Sequence, residues 1–118
     1  MAIKTVHAEL IFHAQNTLGE GPLWHPVEKR LYWVDITAGD LYRSNPELVG
    51  YSKTHFETEI GAFCFTASGE FILASANGFL SWNKSQPHLE LIWNPLPGRA
   101  KVRLNDGKVD PAGRFWAG

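Results

Sequence analysis

Two short segments carry residue types whose spacing could support chemistry. In the first, Leu18 to Pro22, Glu20 stands between two glycines just ahead of an apolar run. A lone carboxylate so placed can be an oxygen ligand for a hard divalent cation, although spacing alone favours a solvent-facing turn. The second, Arg103 to Gly107, reads Arg-Leu-Asn-Asp-Gly. In extended chain, residues two apart point the same way. Arg103 and Asn105 therefore share a face, and Leu104 points to the opposite side, toward a core. A guanidinium and an amide offer directional hydrogen bonds that suit a polyhydroxylated or anionic ligand. Asn-Asp-Gly is also a good tight-turn sequence, and both readings stand at this point.

Other candidates carry less. The histidines at 7, 13, 25, 55 and 88 show neither His-x-His nor His-Glu-x-x-His spacing, which argues against a histidine metal site. There is no Gly-x-Ser-x-Gly elbow for a serine nucleophile and no glycine loop to cradle phosphate. Cys64, between Phe63 and Phe65, reads as a small buried hydrophobe. Trp24, Trp33 and Trp116 fall at or near corresponding strand positions and read as packing between neighbouring sheets, with an aromatic sugar platform as the alternative. The basic residues between Arg99 and Lys108 read as a solvated connection.

The elements that must position Glu20, Arg103 and Asn105 are strands. Eleven glycines and seven prolines punctuate short runs of aromatic and branched residues, the pattern of many strands joined by tight turns. Strands are expected at Val6–Phe12, Gly21–His25, Arg30–Asp35, Asp40–Ser44, Tyr51–Phe56, Ala62–Thr66, Phe71–Ser75, Gly78–Trp82 and Leu89–Trp93, followed by Val102–Leu104, Lys108–Asp110 and Phe115–Gly118. The stretches opening at Gly21, Gly61 and Gly107 repeat one plan: a glycine, a short strand, a turn, then an apolar residue opening a second strand. The openers Leu31, Phe71 and Phe115 are 40 and 44 residues apart. Asp110 to Gly113 suits a type I turn, Thr66 to Gly69 repeats it, and His25-Pro26 begins a longer version. A period of about 40 to 50 residues holding some four strands is the signature of β-propeller blades. About two and a half repeats fit, so residues 1–118 are expected to be the N-terminal part of a single all-β propeller domain; a small independent β-sandwich is the alternative. In the repeat, Glu20, Ile60 and Asp106 each precede the blade glycine, so Glu20 and the Arg103–Asp106 segment are expected to open inner strands facing one channel.

Composition narrows the function classes. The chain has 118 residues, 44% hydrophobic and 19% charged, with a net charge of −1. This excludes a disordered tail and argues against nucleic-acid or membrane-surface partners. No apolar stretch approaches the length of a membrane span. The opening residues lack the apolar core of a secretory signal, and a single cysteine offers no intrachain disulfide, so a cytoplasmic location is expected.

The residues at 18–24 (Leu-Gly-Glu-Gly-Pro-Leu-Trp), 31–36 (Leu-Tyr-Trp-Val-Asp-Ile) and 103–118 (Arg-Leu-Asn-Asp-Gly-Lys-Val-Asp-Pro-Ala-Gly-Arg-Phe-Trp-Ala-Gly) resemble the senescence-marker-protein/gluconolactonase/regucalcin family of six-bladed propellers. The resemblance covers nearly all of this chain but only about the first two-fifths of a typical member. It implies a lactonase-type hydrolase that opens a sugar lactone to the aldonic acid with a divalent metal, calcium or zinc, with magnesium or manganese as further options. By the same resemblance Glu20 matches a metal ligand, and Arg103 and Asn105 match substrate-binding residues. The other metal ligands and the aspartate acid/base belong to later blades, so no catalytic residue is expected within this chain, which alone is expected to be inactive. Expected partners are a sugar lactone and the remaining blades, or self-association in their absence. Two alternatives remain. Tyr32-Trp33-Val34-Asp35 is close to the Tyr-Trp-Thr-Asp signature of non-enzymatic receptor propellers, although it does not recur at Ile72–Ser75 or Phe115–Gly118. A related calcium-dependent propeller esterase is the other.

Overall fold

In the computed structural model, which describes residues 1–86 and 88–118, ten β-strands follow one another in the order of the chain. Among the described residues there is no helix, and none therefore long and apolar enough to cross a membrane. The strands β1 (Gly19–His25), β2 (Arg30–Asp35), β3 (Asp40–Ser44) and β4 (Tyr51–His55) form one four-stranded sheet in that order. The strands β5 (Ile60–Phe65), β6 (Phe71–Ser75), β7 (Gly78–Trp82) and β8 (Leu89–Trp93) form a second sheet with the same order. A hairpin of β9 (Gly107–Val109) and β10 (Phe115–Ala117) begins a third. All pairings are antiparallel.

The repeat seen in the sequence is a repeat of hydrogen bonds. The turn joining β5 to β6 closes with Thr66 N donating to Glu70 O (2.8 Å) and Gly69 N to Thr66 O (3.0 Å). The turn joining β9 to β10 makes the same pair, from Asp110 N to Arg114 O and from Gly113 N to Asp110 O, both 2.9 Å. The side chains match as well: Thr66 Oγ1 accepts from Glu70 N (3.0 Å) where Asp110 Oδ1 accepts from Arg114 N (2.9 Å). The last turn residue takes a left-handed conformation, φ 83° at Gly113, which glycine adopts without a Cβ clash. The longer version at His25 uses an imidazole instead, with Nδ1 accepting from Glu28 N at 3.1 Å.

Strand alternation sorts the side chains onto two faces of each sheet. Tyr32, Val34 and Leu41 face the second sheet, and Phe63, Phe71, Leu73, Leu80 and Trp82 face the first; with Ile36, Phe56 and Ile60 they form one buried core. Tyr32 and Phe71 meet edge-on with ring centroids 5.3 Å apart. Full burial of a side chain of this size stabilises by roughly 1.5–3 kcal/mol, so this interface is what holds the two blades together. At its rim, Glu28 bridges them: its carboxylate takes a hydrogen bond from Tyr32 Oη (2.5 Å) and pairs with Lys84 of the second blade. A smaller cluster of Ala62, Ala74 and Leu104 joins the second blade to the third repeat.

Two expected strands are absent. Val6–Phe12 alternates, but it lies in no ladder. Alternation makes a strand only where an edge is available to pair with, and here the segment covers a face instead: Phe12 stacks on Trp33 at 5.5 Å and meets Tyr51 edge-on. Val102–Leu104 is not a strand because its backbone packs across Gly61 and does not pair with a neighbour.

Candidate functional site

The inner strands β1, β5 and β9 lie in sequence side by side, β1 against β5 and β5 against β9. A cavity of about 170 Å³ opens between them, lined by Gly21 and Leu23 of β1, Ala62 to Cys64 of β5 and Asp106 to Val109 around β9. Both complete inner strands break register at the same place, between Glu20 and Leu23 in β1 and between Ile60 and Ala62 in β5. A bulge there bends the strand and re-aims the residues beside it. The alignment of Glu20 with Ile60 thus corresponds to a shared backbone feature.

Glu20 sits opposite Val34 in the β1–β2 ladder, exposed, and no described side chain pairs with it. Its strand is held from behind by Asp35, which is only 3% exposed. The Asp35 carboxylate accepts from Thr17 N (2.8 Å) and Leu18 N (3.0 Å), and Ile36 N donates to Leu18 O (3.0 Å). Burial pushes the Asp35 carboxyl up, but the backbone donors of Leu18 and Thr17 outweigh it and hold the group below its usual value. The sequence reading passed over this role. The signal was there: a carboxylate inside the apolar run Leu31–Ile36 must be satisfied by something.

Arg103 and Asn105 do share a face, and they touch: Arg103 Nη1 donates to Asn105 Oδ1 at 2.6 Å. Leu104 between them is buried against Ala62 and Ala74, as expected. The backbone is fixed on both sides. Asn105 N and Asp106 N donate to Gly118 O (2.6 and 3.1 Å), and Gly118 N returns a bond to Asp106 O (3.0 Å). Across the blade boundary the Leu104–Asn105 carbonyls press on Gly61, where a Cβ would overlap Leu104 O and come within 2.8 Å of Asn105 O. Glycine is required there by close approach of backbone to backbone.

The expectation that Arg99 to Lys108 is a solvated connection holds for Arg99 and Lys101, which are exposed, but not for Arg103. Arg103 is half-buried, and its Nε lies 3.1 Å from Glu59 Oε2. Glu59, in the loop before β5, was not singled out from the sequence, since nothing in its local spacing links it to a residue forty-four positions on. No hydrogen bond or ion pair joins Glu20 to Arg103 or Asn105 among the described residues; the two groups open the first and third repeats, with β5 of the second blade between them.

As a metal ligand, Glu20 fits the chemistry of a single oxygen donor with free lone pairs. No group of three or more His, Cys, Asp or Glu side chains able to hold a metal gathers among the described residues. Cys64 is buried, and burial pushes its thiol pKa up, which fits a packing role. Trp33 is sandwiched between Phe12 and Tyr42 (5.5 and 5.0 Å) and donates Nε1–H to Asn16 Oδ1. It is a packing residue with no face left for a sugar.

The fold has counterparts among known proteins. Residues 18–118 match the family described as the SMP-30/gluconolactonase/LRE-like region. The 6-deoxy-6-sulfogluconolactonase of Pseudomonas putida is 42% identical over 104 residues, covering 87% of this chain and 35% of that protein. Regucalcin of Xenopus laevis is 31% identical over 116 residues, covering 98% of this chain and 39% of that protein. The calcium-binding protein regucalcin of Agrobacterium tumefaciens superposes with a TM-score of 0.80 at 22% identity, over 86% of this chain and 35% of that structure; at this identity the likeness is one of fold. The chain thus spans little more than a third of the length of the relatives it matches. It belongs to the SMP-30/gluconolactonase/LRE-like family and forms about two and a half blades of an all-β propeller.

Proposed function

We propose that these residues form part of the substrate and metal site of a sugar lactonase, a hydrolase that opens a cyclic ester to the aldonic acid when the remaining blades complete the propeller. The observation that carries this reading is the Arg103–Asn105 pair, joined at 2.6 Å at the mouth of an inner strand next to the one that Glu20's blade abuts. The lactonase relatives support it.

Glu20 would supply one oxygen to a divalent cation, calcium or zinc being the leading candidates. When bound, such a cation supplies positive charge against the lactone carbonyl oxygen. Arg103 and Asn105 would hold the sugar hydroxyls by directional hydrogen bonds, so that the ester carbonyl is presented in one orientation and attack becomes effectively intramolecular. Their own mutual bond reduces the rotamer freedom lost on binding. Proton transfer falls to an aspartate outside these 118 residues, as the family resemblance implies.

The test is metal titration beside a lactonase assay on the full-length propeller carrying this chain. Glu20→Gln keeps shape and removes charge; it is expected to weaken metal binding and remove most turnover with little change in melting temperature. Asn105→Ala is expected to raise KM while metal binding survives. Normal metal affinity and turnover in Glu20→Gln would reduce Glu20 to a turn residue.

A further inference from the structure

We infer that Glu59 sets the charge class of the substrate: paired with Arg103 it makes an electrically neutral subsite that selects an uncharged polyhydroxylated lactone over one bearing a phosphate or sulfonate. This rests on the reading above, in which Arg103 and Asn105 face the substrate.

An arginine alone in a sugar site is a natural anion receptor, because its fork of donors matches phosphate and sulfonate oxygens. Arg103 is not alone. Its Nε forms an ion pair with Glu59 Oε2 at 3.1 Å, and its Nη1 donates to Asn105 Oδ1 at 2.6 Å. The second bond fixes the amide: Asn105 accepts through Oδ1 from Arg103 and keeps both Nδ2 hydrogens to donate. Glu59 keeps Oε1, which no described residue engages. The subsite therefore offers donors from Arg103 and Asn105 and an acceptor from Glu59.

A sugar hydroxyl donates and accepts, and can use both kinds of group. A phosphate dianion or a sulfonate anion only accepts, and it would bring negative charge beside the Glu59 carboxylate, a juxtaposition that disfavours the wrong ligand. Glu59 is positioned for this by its backbone, whose carbonyl accepts from Ala76 N at 3.0 Å. An ion pair this exposed, with side chains 25% and 40% accessible, contributes little to stability, so tuning of the site is the more telling role. Lys108, which lines the cavity between the inner strands beside Asp106, is the cation that acts in the opposite direction.

The experiment measures kcat/KM for gluconolactone and for its 6-phosphate, at low and high salt, with the full-length propeller carrying this chain. The unaltered protein is expected to prefer the uncharged lactone. Glu59→Gln, nearly isosteric, is expected to shift the ratio toward the phosphate by about tenfold, the shift shrinking at high salt; Glu59→Asp, which keeps the charge, retains the original preference. A ratio unmoved by Glu59→Gln, or a preference for the phosphate in the unaltered protein, overturns the inference and leaves the lactonase reading intact. Turnover of neither lactone by the unaltered protein removes both.

Discussion

At the scale of single residues, the site depends on groups that never face a ligand. Asp35 takes two backbone N–H bonds from Thr17 and Leu18, which aligns the chain two residues before Glu20. An amide in its place can accept at one oxygen only, and its NH2 would confront the second donor. Asp35→Asn is therefore expected to cost about 1–3 kcal/mol and to weaken the metal binding proposed for Glu20 although Glu20 is unchanged. The charge also carries a pH signature. Because the Asp35 carboxyl is held below its ordinary value of 3.8, its stabilisation is fully present above that value and is lost as pH falls through its own lower pKa. Melting curves from pH 5 down to about pH 2 should show a steeper acid loss in the unaltered protein than in Asp35→Asn; equal slopes would mean that Asp35 contributes as a neutral group. What sequence reading could reach here was unequal. Arg103 and Asn105 were legible because strand geometry places residues two apart on one face, whereas the Glu59 carboxylate reaches Arg103 only through the stacking of two blades, which no local spacing records.

At the scale of elements, the inner strands work as a set because their backbones touch. Gly61 of β5 lies directly under the Leu104–Asn105 carbonyls, so the segment bearing Arg103 and Asn105 is seated on the neighbouring blade. Gly61→Ala is expected to push that segment outward, at a cost of about 1–3 kcal/mol typical of overpacking. It should loosen the Arg103–Glu59 pair, read as faster amide exchange at Asn105 and Asp106 with exchange in β1 to β4 unchanged. Uniform change across both blades would indicate general destabilisation instead. The glycine that opens each repeat was visible in the sequence; its reason at position 61 was not, because the reason is a carbonyl from the following blade. The same limit explains the two misplaced strands. Val6–Phe12 has the alternation of a strand, but alternation states which side is apolar and says nothing about whether an edge is free. The turns succeeded because their chemistry is local: Asp110 and Thr66 each close their own turn through bonds spanning no more than four residues.

At the scale of the whole molecule, the blades are two-sided and the chain covers only some of those sides. The interface between the first two sheets is closed and aromatic, with Tyr32, Phe71 and Leu73 no more than 1% exposed. The far face of the second sheet is different. Between it and the β9–β10 hairpin lies an open trough of about 710 Å³ lined by Phe79, Ile92, Trp93, Val102 and Trp116, among others. Trp93 and Trp116 are 62% and 63% exposed there. Contiguous apolar surface of this kind seeks a cover, and a blade that lacks a neighbour on one side has the unsatisfied interface of a repeat without its cap. The free edges of β4 and β8 add unpaired backbone groups, which template strand addition. The 118-residue chain on its own is therefore expected to self-associate through this trough. Sedimentation velocity over a tenfold concentration range should show mass rising with concentration, and a Trp93→Lys, Trp116→Lys double variant should move the distribution back toward monomer, since charge in the trough opposes its burial against a second copy. A sharp, concentration-independent monomeric melt of the unaltered chain would mean that the core around Tyr32 and Phe71 suffices alone and that the exposed tryptophans are tolerated in water.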